Sequence, residues 1–343
     1  MKRLLNTLYV TTQGCYLHRE GETVEVMLDG DAKLRVPIHT LQSIVCFGQV
    51  SMSPPLMGLC AERQVMVSFL TLNGRFLARV EGPVSGNVKL RREQYRRADD
   101  QPLATALAQS VVTAKINNSR VVLQRALRDH PDAYGALQMA DSIEHLSGQL
   151  KTIDSVQTLD SLRGLEGEAA RNYFNVFNHL IFAQKDDFFF HERSRRPPLD
   201  NMNALLSFLY TVLAHDVTSA LETVGLDPAV GFLHRDRPGR PGLALDIMEE
   251  FRPYLVDRLA LSLVNLKQIS AKGFTRTETG AVMMDDATRK AVIMAYQNRK
   301  QEEITHPFLN EKIAVGLLPY AQALLLARHL RGDMDGYPPF LWR

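Results

Sequence analysis

The chain has 343 residues, 45% hydrophobic and 23% charged, so neither a disordered nor a fibrous class is indicated and two domains are expected. Its formal net charge of +2 argues against a strongly cationic protein that coats nucleic acid, so any DNA affinity must come from local clusters. The three cysteines form no Cys-x-x-Cys pair, which argues against a disulfide framework and a structural zinc site and fits a reducing cytoplasm.

The first part of the chain, residues 4–82, contains short β-rich runs separated by turn residues. Polar residues such as Asn6 and Thr11 interrupt its start, which predicts a strand rather than a signal peptide. One short helix is expected after Ser53, because Pro54 suits a first helical turn. No run of about 18 consecutive apolar residues occurs, so no membrane-spanning helix is expected. Strands are predicted at residues 8–10, 23–26, 34–36, 43–45 and 66–69.

A cluster of helix- and strand-breaking residues lies at 82–86. After it the sequence pattern changes, and apolar residues recur at three- and four-residue intervals. The predicted fold is therefore α+β, with an N-terminal β-sandwich-like domain at residues 1–84 and a larger all-α domain at residues 85–343. The Pro-rich tail 332–343 is expected to lie on the surface or fray, and its Trp342 receives no role. Helices are predicted at residues 103–127, 134–150, 168–182, 202–224, 243–266, 287–298 and 309–330.

Residues 231–253 concentrate a histidine, four arginines and four acids. Asp246, Glu249 and Glu250 are three and four positions apart, so on a helix they share a face beside apolar neighbours. Such a pattern is more often a solvated helix face. Carboxylates this close repel unless a cation or a proton relieves them, so the alternative is a divalent metal site.

His234 begins the loop that leads to these acids. A lone histidine is more often structural than a ligand, but an imidazole together with two carboxylates suits manganese or magnesium better than zinc. Arg235, Arg237 and Arg240 follow in the same loop and could hold phosphate through charge-assisted hydrogen bonds. The segment is therefore a candidate site for phosphate chemistry.

A further carboxylate is offered by Glu166, which lies between Gly164 and Gly167. Glycines are costly inside a helix unless another backbone or a ligand must approach closely. The alternative is a helix start with an N-terminal acid favoured by the macrodipole, which would explain Glu168 but not the two glycines.

Four segments of the helical domain together resemble the CRISPR-associated endonuclease and integrase of spacer acquisition. The resemblance covers the whole chain in layout and residues 160–255 in detail, and its family has the same two-domain plan. The four matching segments, in chain order, are residues 164–167, 195–208, 231–234 and 246–253.

The resemblance implies roles for individual residues of the helical, catalytic domain. The metal ligands and catalytic residues would be Glu166, His234 and Glu249. Asp246 would be a nearby acid that assists. Glu250 falls outside the matching positions and is expected to be a helix-surface acid.

The resemblance also implies a mechanism and partners. With Mg²⁺ or Mn²⁺, the 3′-hydroxyl ends of a protospacer duplex would attack phosphodiesters of the CRISPR repeat. Two chains would pair through their β domains, and two pairs would flank a dimer of a small partner protein in a heterohexamer. His234 would act as a ligand and proton-transfer neighbour. Arg235 and Arg237 would position phosphate, as would Arg252, which could equally orient Glu249.

Two other functions remain open from the residues alone. A stand-alone nuclease for branched DNA would use the same ligands with water as the nucleophile. An inert DNA-end holder would need none of the three ligands. Two further basic clusters, residues 89–97 and Arg193 with Arg195 and Arg196, are either solvated surface or contacts to the DNA backbone.

Overall fold

The computed structural model describes residues 7–72, 76–82 and 88–343. A strand-rich N-terminal part is followed by a mostly helical part, which confirms the predicted α+β class. The breaker cluster and the predicted domain limit at residue 84 fall largely outside the described residues, so that limit stays a prediction. The N-terminal elements are β1 Thr7–Val10, β2 Tyr16–Glu20, β3 Thr23–Leu28, β4 Asp31–Pro37, β5 Ser43–Phe47, β6 Ser51–Met52, α1 Pro54–Glu62, β7 Met66–Leu70 and β8 Phe76–Val80.

These strands form two four-stranded sheets, ordered β1-β5-β7-β8 and β4-β3-β2-β6. In the first sheet β1, β5 and β7 are parallel and β8 is antiparallel. Because side chains alternate along a strand, Ile44 and Cys46 of β5 join the core shared with the second sheet, and Val45 and Phe47 join the core of the helical part. The first sheet therefore separates two hydrophobic cores.

The predicted strands β1, β3, β4, β5 and β7 are confirmed, and so is α1, whose Ser53 side chain accepts a hydrogen bond from the Leu56 amide at 3.3 Å. Three strands, β2, β6 and β8, were not predicted. Tyr16–Glu20 has a largely polar, exposed pattern, and Ser51–Met52 is only two residues long. Neither shows the apolar alternation that marks a half-buried strand.

The second part is built mainly of helices, with four short strands in two antiparallel pairs. The predicted helix at 243–266 is broken by a π-helical turn at Arg252–Asp257, where Pro253 removes an amide donor. The elements of this second part are α2 Val88–Asp99, α3 Gln101–Asp129, α4 Ala136–Thr152, α5 Leu159–Asn175, α6 Asn201–Val224, α7 Gly242–Glu249, α8 Arg258–Asn265, β9 Phe274–Arg276, β10 Val282–Met284, α9 Asp286–Gln301, β11 Glu303–Thr305, β12 Lys312–Ala314 and α10 Leu318–Leu330.

The helix predicted at 168–182 lies earlier in the chain. It begins after Thr158, whose hydroxyl accepts a hydrogen bond from the Ser161 amide at 3.2 Å, and it ends at Asn175. Both glycines beside Glu166 are therefore inside α5. The interpretation of Glu168 as a helix-start acid was wrong.

Helix α6 is long and apolar enough to cross a membrane by length and composition alone, with a mean hydropathy of 1.4 over 18 residues. The sequence prediction of no membrane-spanning helix rested on the lack of an uninterrupted apolar run, and the length and composition of α6 alone do not overturn it. In the structure, 67% of that window is buried inside the protein, and the rings of Phe208 and Phe47 lie 5.8 Å apart across the interface with the first sheet. A core helix meets the same criterion, and core packing accounts for its apolar residues.

The C-terminal tail is packed into the helical core, which corrects the prediction that it lies on the surface or frays. Tyr337, Phe340 and Trp342 are buried. The Asn118 side chain on α3 donates to the Phe340 carbonyl at 2.8 Å and accepts from the Trp342 amide at 2.8 Å. The Trp342 ring, which had received no role, lies under the Arg258 guanidinium at 4.4 Å.

Replacing the buried ring of the tail should destabilise the protein. Phe340→Ala is expected to lower the free energy of unfolding by about 3–5 kcal/mol, because Phe340 has no exposed surface. The control Tyr134→Ala removes a side chain that is 83% exposed and should change stability by less than about 0.5 kcal/mol. Urea unfolding measures both, and equal effects of the two variants would contradict the docked tail.

Candidate active site

A cleft of about 2880 Å³ lies between the first sheet and the helices α3, α5 and α6. The predicted site residues Glu166, His234 and Glu249 all line it. Its lining carries eleven lysines and arginines against six acids, although the whole chain has a formal charge of only +2. Basic side chains concentrated in one cleft are typical of a surface that binds a polyanion.

The centre of the cleft holds two acids around one ammonium group. Glu166 is on α5 and Glu249 is the last residue of α7. Lys115 of α3 contacts both: its Nζ lies 2.8 Å from Glu249 Oε2 and in direct contact with Glu166 Oε1. The side chains of Lys115 and Glu249 are 11% and 4% exposed, so water screens this cluster only weakly.

The surrounding charges determine the ionisation of this cluster. Burial alone would raise the pKa of Glu249, but Arg252, Lys115 and His234 lower it to about 2. Burial alone would lower the pKa of Lys115, but Glu249 and Glu166 raise it. Glu249 and Lys115 are therefore both charged at neutral pH.

Arg252 contacts the other oxygen of Glu249. Its Nη1 lies 3.2 Å from Glu249 Oε1, and its guanidinium lies 5.0 Å above the Tyr210 ring. The Arg252 side chain is only 16% exposed. This placement agrees with the alternative in which Arg252 orients the carboxylate, and it differs from that of an arginine free to meet phosphate.

Asp246 organises the backbone around His234. One of its oxygens accepts from the amides of Phe232 at 2.6 Å and Leu233 at 3.0 Å. The other accepts from the His234 amide at 3.0 Å and from His234 Nδ1 at 2.6 Å. Because Nδ1 donates to Asp246, the lone pair of the neutral ring is on Nε2, which lies 3.9 Å from Glu249 Oε1.

Close backbone packing fixes the same loop against α7. A Cβ on Gly231 would lie 2.6 Å from the carbonyl carbon of Gly242 and 2.7 Å from Asp246 Oδ2, so only glycine fits there. On the other side, Arg163 Nε of α5 donates to the Leu233 carbonyl at 2.7 Å. The loop thus connects the two helices that carry Glu166 and Glu249.

The remaining predicted phosphate ligands lie at the rim of the cleft. Arg235 is exposed and its Nη2 donates to Asp160 at 2.6 Å. Arg237 is exposed, and Arg240 is partly buried. All three line the cleft, but the structure does not bring Arg235 into contact with the acids at its centre.

Glu250 is fully buried, so the expectation that it is a helix-surface acid was wrong. Its carboxylate accepts hydrogen bonds from the Tyr337 hydroxyl at 2.5 Å, the Phe340 amide at 2.7 Å and Gln322 Nε2 at 3.0 Å. Burial raises the pKa of Glu250 to about 7 in spite of these donors. Adjacent acids at the end of α7 therefore face different surroundings, Glu249 towards the cleft and Glu250 towards the tail.

The two further basic clusters are partly used within the protein. Arg193 donates to Asn203 Oδ1 at 2.6 Å and to Ser207 Oγ at 3.0 Å, whereas Arg195 and Arg196 are exposed and line the cleft. In α2, Arg91 Nε donates to the Gly225 carbonyl at 3.2 Å, so part of that cluster packs on the helical part.

Sequence reasoning missed Lys115. The buried residues of α3 include Ala108, Val111, Val112 and Val122, a helical stripe in which position 115 also falls. A lysine at such a position is rarely buried unless it is paired, and this was the available signal.

Among the residues that the structure describes, no group of three His, Cys, Asp and Glu side chains is already closed around a common point. The donor set nevertheless fits a divalent cation: an imidazole Nε2 and two carboxylates suit magnesium or manganese. Glu249 Oε2 supports this fit, because this buried oxygen is already paired with a cation, the Lys115 ammonium 2.8 Å away.

Comparison with known proteins gives a consistent result. The model of the family "CRISPR associated protein Cas1" matches residues 8–298. A protein of Chlorobaculum tepidum named CRISPR-associated endonuclease Cas1 1 is 57% identical over 343 residues and covers 100% of both chains. Two solved structures share the fold: a casposase bound to integration product (TM-score 0.83, 21% identity, 98% of this chain and 94% of that one) and a Cas6-RT-Cas1–Cas2 complex (TM-score 0.85, 24% identity, 100% of this chain and 36% of that one).

Weakening the acceptor that holds the His234 loop should destabilise the fold locally. In Asp246→Asn, one carboxylate oxygen becomes an amide donor facing N–H groups, and the expected loss is about 2–4 kcal/mol in the free energy of unfolding. The control Asp236→Asn changes an exposed acid of the same loop and should be neutral within about 0.5 kcal/mol. Thermal and urea unfolding distinguish the two, and an unchanged Asp246→Asn protein would refute this account of the loop.

Proposed function

The chain belongs to the Cas1 family of CRISPR-associated proteins, and we propose that it is a metal-dependent DNA endonuclease and integrase that inserts captured DNA as new spacers. One observation carries the assignment to this site. Within a basic cleft, Glu166 and Glu249 both contact the ammonium group of Lys115. Beside them lies His234, whose free ring nitrogen is oriented by Asp246. Paired acids and basic side chains in one cleft match the needs of phosphodiester chemistry.

Glu166, His234 and Glu249 would hold Mg²⁺ or Mn²⁺. When bound, the divalent ion supplies electrostatic stabilisation for the charge that develops on the reacting phosphate. Asp246 acts through His234, because its hydrogen bond to Nδ1 directs Nε2 to the ligand position. With Nδ1 bound to Asp246 and Nε2 directed to the position of the ion, His234 would serve as a ligand, and the proton of the attacking hydroxyl would pass to solvent. Arg252 keeps Glu249 in place from its other oxygen.

The reaction is an exchange of phosphodiester bonds. The 3′-oxygen of a protospacer strand attacks a phosphorus atom of the CRISPR repeat, and a new P–O bond forms. The bond from the same phosphorus to the 3′-oxygen of the repeat strand breaks, and that oxygen takes up a proton. Because one diester replaces another, the step needs no external energy source and no covalent protein intermediate.

The proposed partners are double-stranded DNA, a second copy of the chain and a small adaptation protein, combined as a heterohexamer in the cytoplasm. The exposed apolar residues Tyr16, Leu34 and Leu77 on the N-terminal sheets support pairing of two chains through the β domains. The neighbouring folds include a casposase bound to integration product and a complex that contains Cas2.

Neutralising either acid should abolish strand transfer. With the small partner protein, a protospacer duplex, Mn²⁺ and a supercoiled plasmid carrying a leader and repeat, Glu166→Gln and Glu249→Gln are expected to lower joined products at least about a hundredfold. The matched control Glu168→Gln changes an exposed acid of the same helix and should retain activity.

The products distinguish the proposal from its rivals. Joining that disappears with EDTA supports integration. Cleavage without joining would favour a stand-alone nuclease with water as the nucleophile, and DNA binding without either reaction would favour an inert DNA-end holder.

The salt dependence of DNA binding separates phosphate contacts from internal ion pairs. Arg237→Ala should reduce the slope of log K against log salt by about 0.9, the effect of one lost phosphate contact, and Arg235→Ala should do the same because its exposed pair with Asp160 can be exchanged for a phosphate. Arg252→Ala should leave the slope unchanged, because Arg252 is engaged with Glu249. Arg128→Ala, outside the cleft, is the control, and a slope change equal to that of Arg237→Ala in this control would contradict the assignment.

A further inference from the structure

We propose that Lys115 is a built-in counter-ion, which holds Glu166 and Glu249 together when no divalent ion is bound and is displaced when the ion binds. The inference rests on the proposed metal ligands and adds a residue that they do not include. It concerns Lys115 as a positioning residue.

The ammonium group of Lys115 lies where the two acids meet. Lys115 comes from α3, which carries neither Glu166 nor Glu249, yet its Nζ contacts an oxygen of both. The side chain of Glu249 is 4% exposed and that of Glu166 is 24% exposed, so two carboxylates this close and this poorly solvated would repel strongly without a cation between them. An ion held by the same two carboxylates would need the space that the ammonium group fills, so the two cations exclude each other.

Lys115 and Arg252 differ in how they contact Glu249. Arg252 contacts Oε1 of Glu249, whereas Lys115 contacts Oε2. Within the part of the chain that the structure describes, Lys115 is the cation that pairs with both acids. Arg252 can therefore remain in place when an ion binds, and Lys115 cannot.

The cleft offers space into which the displaced Lys115 side chain can move. Lys115 and Ser119, one turn further along α3, both line the cleft. The four-carbon stem of lysine lets the ammonium swing away from the carboxylates into this space. A phosphate of bound DNA then replaces the carboxylates as its anion, so loading of the ion and engagement of DNA are linked.

The test measures Mn²⁺ binding to the DNA-free protein by isothermal titration calorimetry. Lys115→Met is expected to bind Mn²⁺ on the order of tenfold more tightly than the wild type, because the ion no longer competes with an internal cation. In EDTA the same variant should melt at a lower temperature, since its two acids lose their counter-ion, and Mn²⁺ should raise its Tm by more than it raises that of the wild type.

The matched control is Lys300→Met. Lys300 is 3% exposed and its Nζ lies 2.7 Å from Asp216, so it is a buried lysine paired with an acid away from the proposed ligands. This variant should also lose stability in EDTA, but its Mn²⁺ affinity should equal that of the wild type. If Lys115→Met does not fold, Lys115→Gln removes the same charge and keeps a hydrogen-bond donor between the acids.

The outcomes separate the two proposals. Unchanged or weaker Mn²⁺ binding in the neutral Lys115 variant, with a wild type that binds Mn²⁺ through Glu249, would overturn the counter-ion role alone. A wild type that binds no Mn²⁺, or binds it equally well after Glu249→Gln, would overturn the proposed ligands and the counter-ion role with them.

Discussion

The mutual repulsion of two carboxylates is the constraint on which this site depends. Glu166 and Glu249 come from helices far apart in the chain. Without a cation between them, these poorly solvated carboxylates would repel each other, and they would either separate or become protonated. Helix α3 packs against both α5 and α7, and its Lys115 lines the cleft. Three residues later, the side chain of Asn118 donates to the Glu250 carbonyl at 2.7 Å and binds the tail. One helix thus fixes both the charge of the site and the backbone that carries Glu249.

The acids near the end of α7 are chemically similar, but their surroundings give them different pKa values and different roles. Asp246, Glu249, Glu250 and Asp257 are all buried. Burial raises the pKa of Glu250 to about 7 and that of Asp257 to about 6, against the hydrogen bonds they accept. Glu249 is equally buried, but neighbouring cations lower its pKa to about 2. Asp246 is occupied by the His234 loop. Of the four acids, Glu249 is thus the one whose neighbours keep it charged inside the cleft.

The sequence predicts those features that follow from local pattern. Apolar periodicity identified α3, α4, α6 and α9 to within a few residues, and the Ser53 cap located α1. It could not place Glu250, because whether an acid at a helix end faces water or the core depends on a tail some ninety residues later. The tail was predicted to lie on the surface because it is polar and rich in proline. Its prolines do exclude a helix, but its three aromatic rings fill the core. Contacts between distant segments leave no periodic signal.

The basic side chains of the cleft are not equivalent, because some are paired inside the protein and others are exposed to solvent. Arg193 is committed to Asn203 and Ser207, and Arg252 to Glu249, so their charge shapes the site from within. Other arginines of the lining are exposed and have no such commitment to the protein interior: Arg171, Arg195, Arg196 and Arg237. Exposed cations contribute salt-dependent affinity for any DNA backbone, whereas the buried ones maintain the geometry of the reacting groups. A protein with a net charge of only +2 can therefore hold DNA at one cleft without coating it elsewhere.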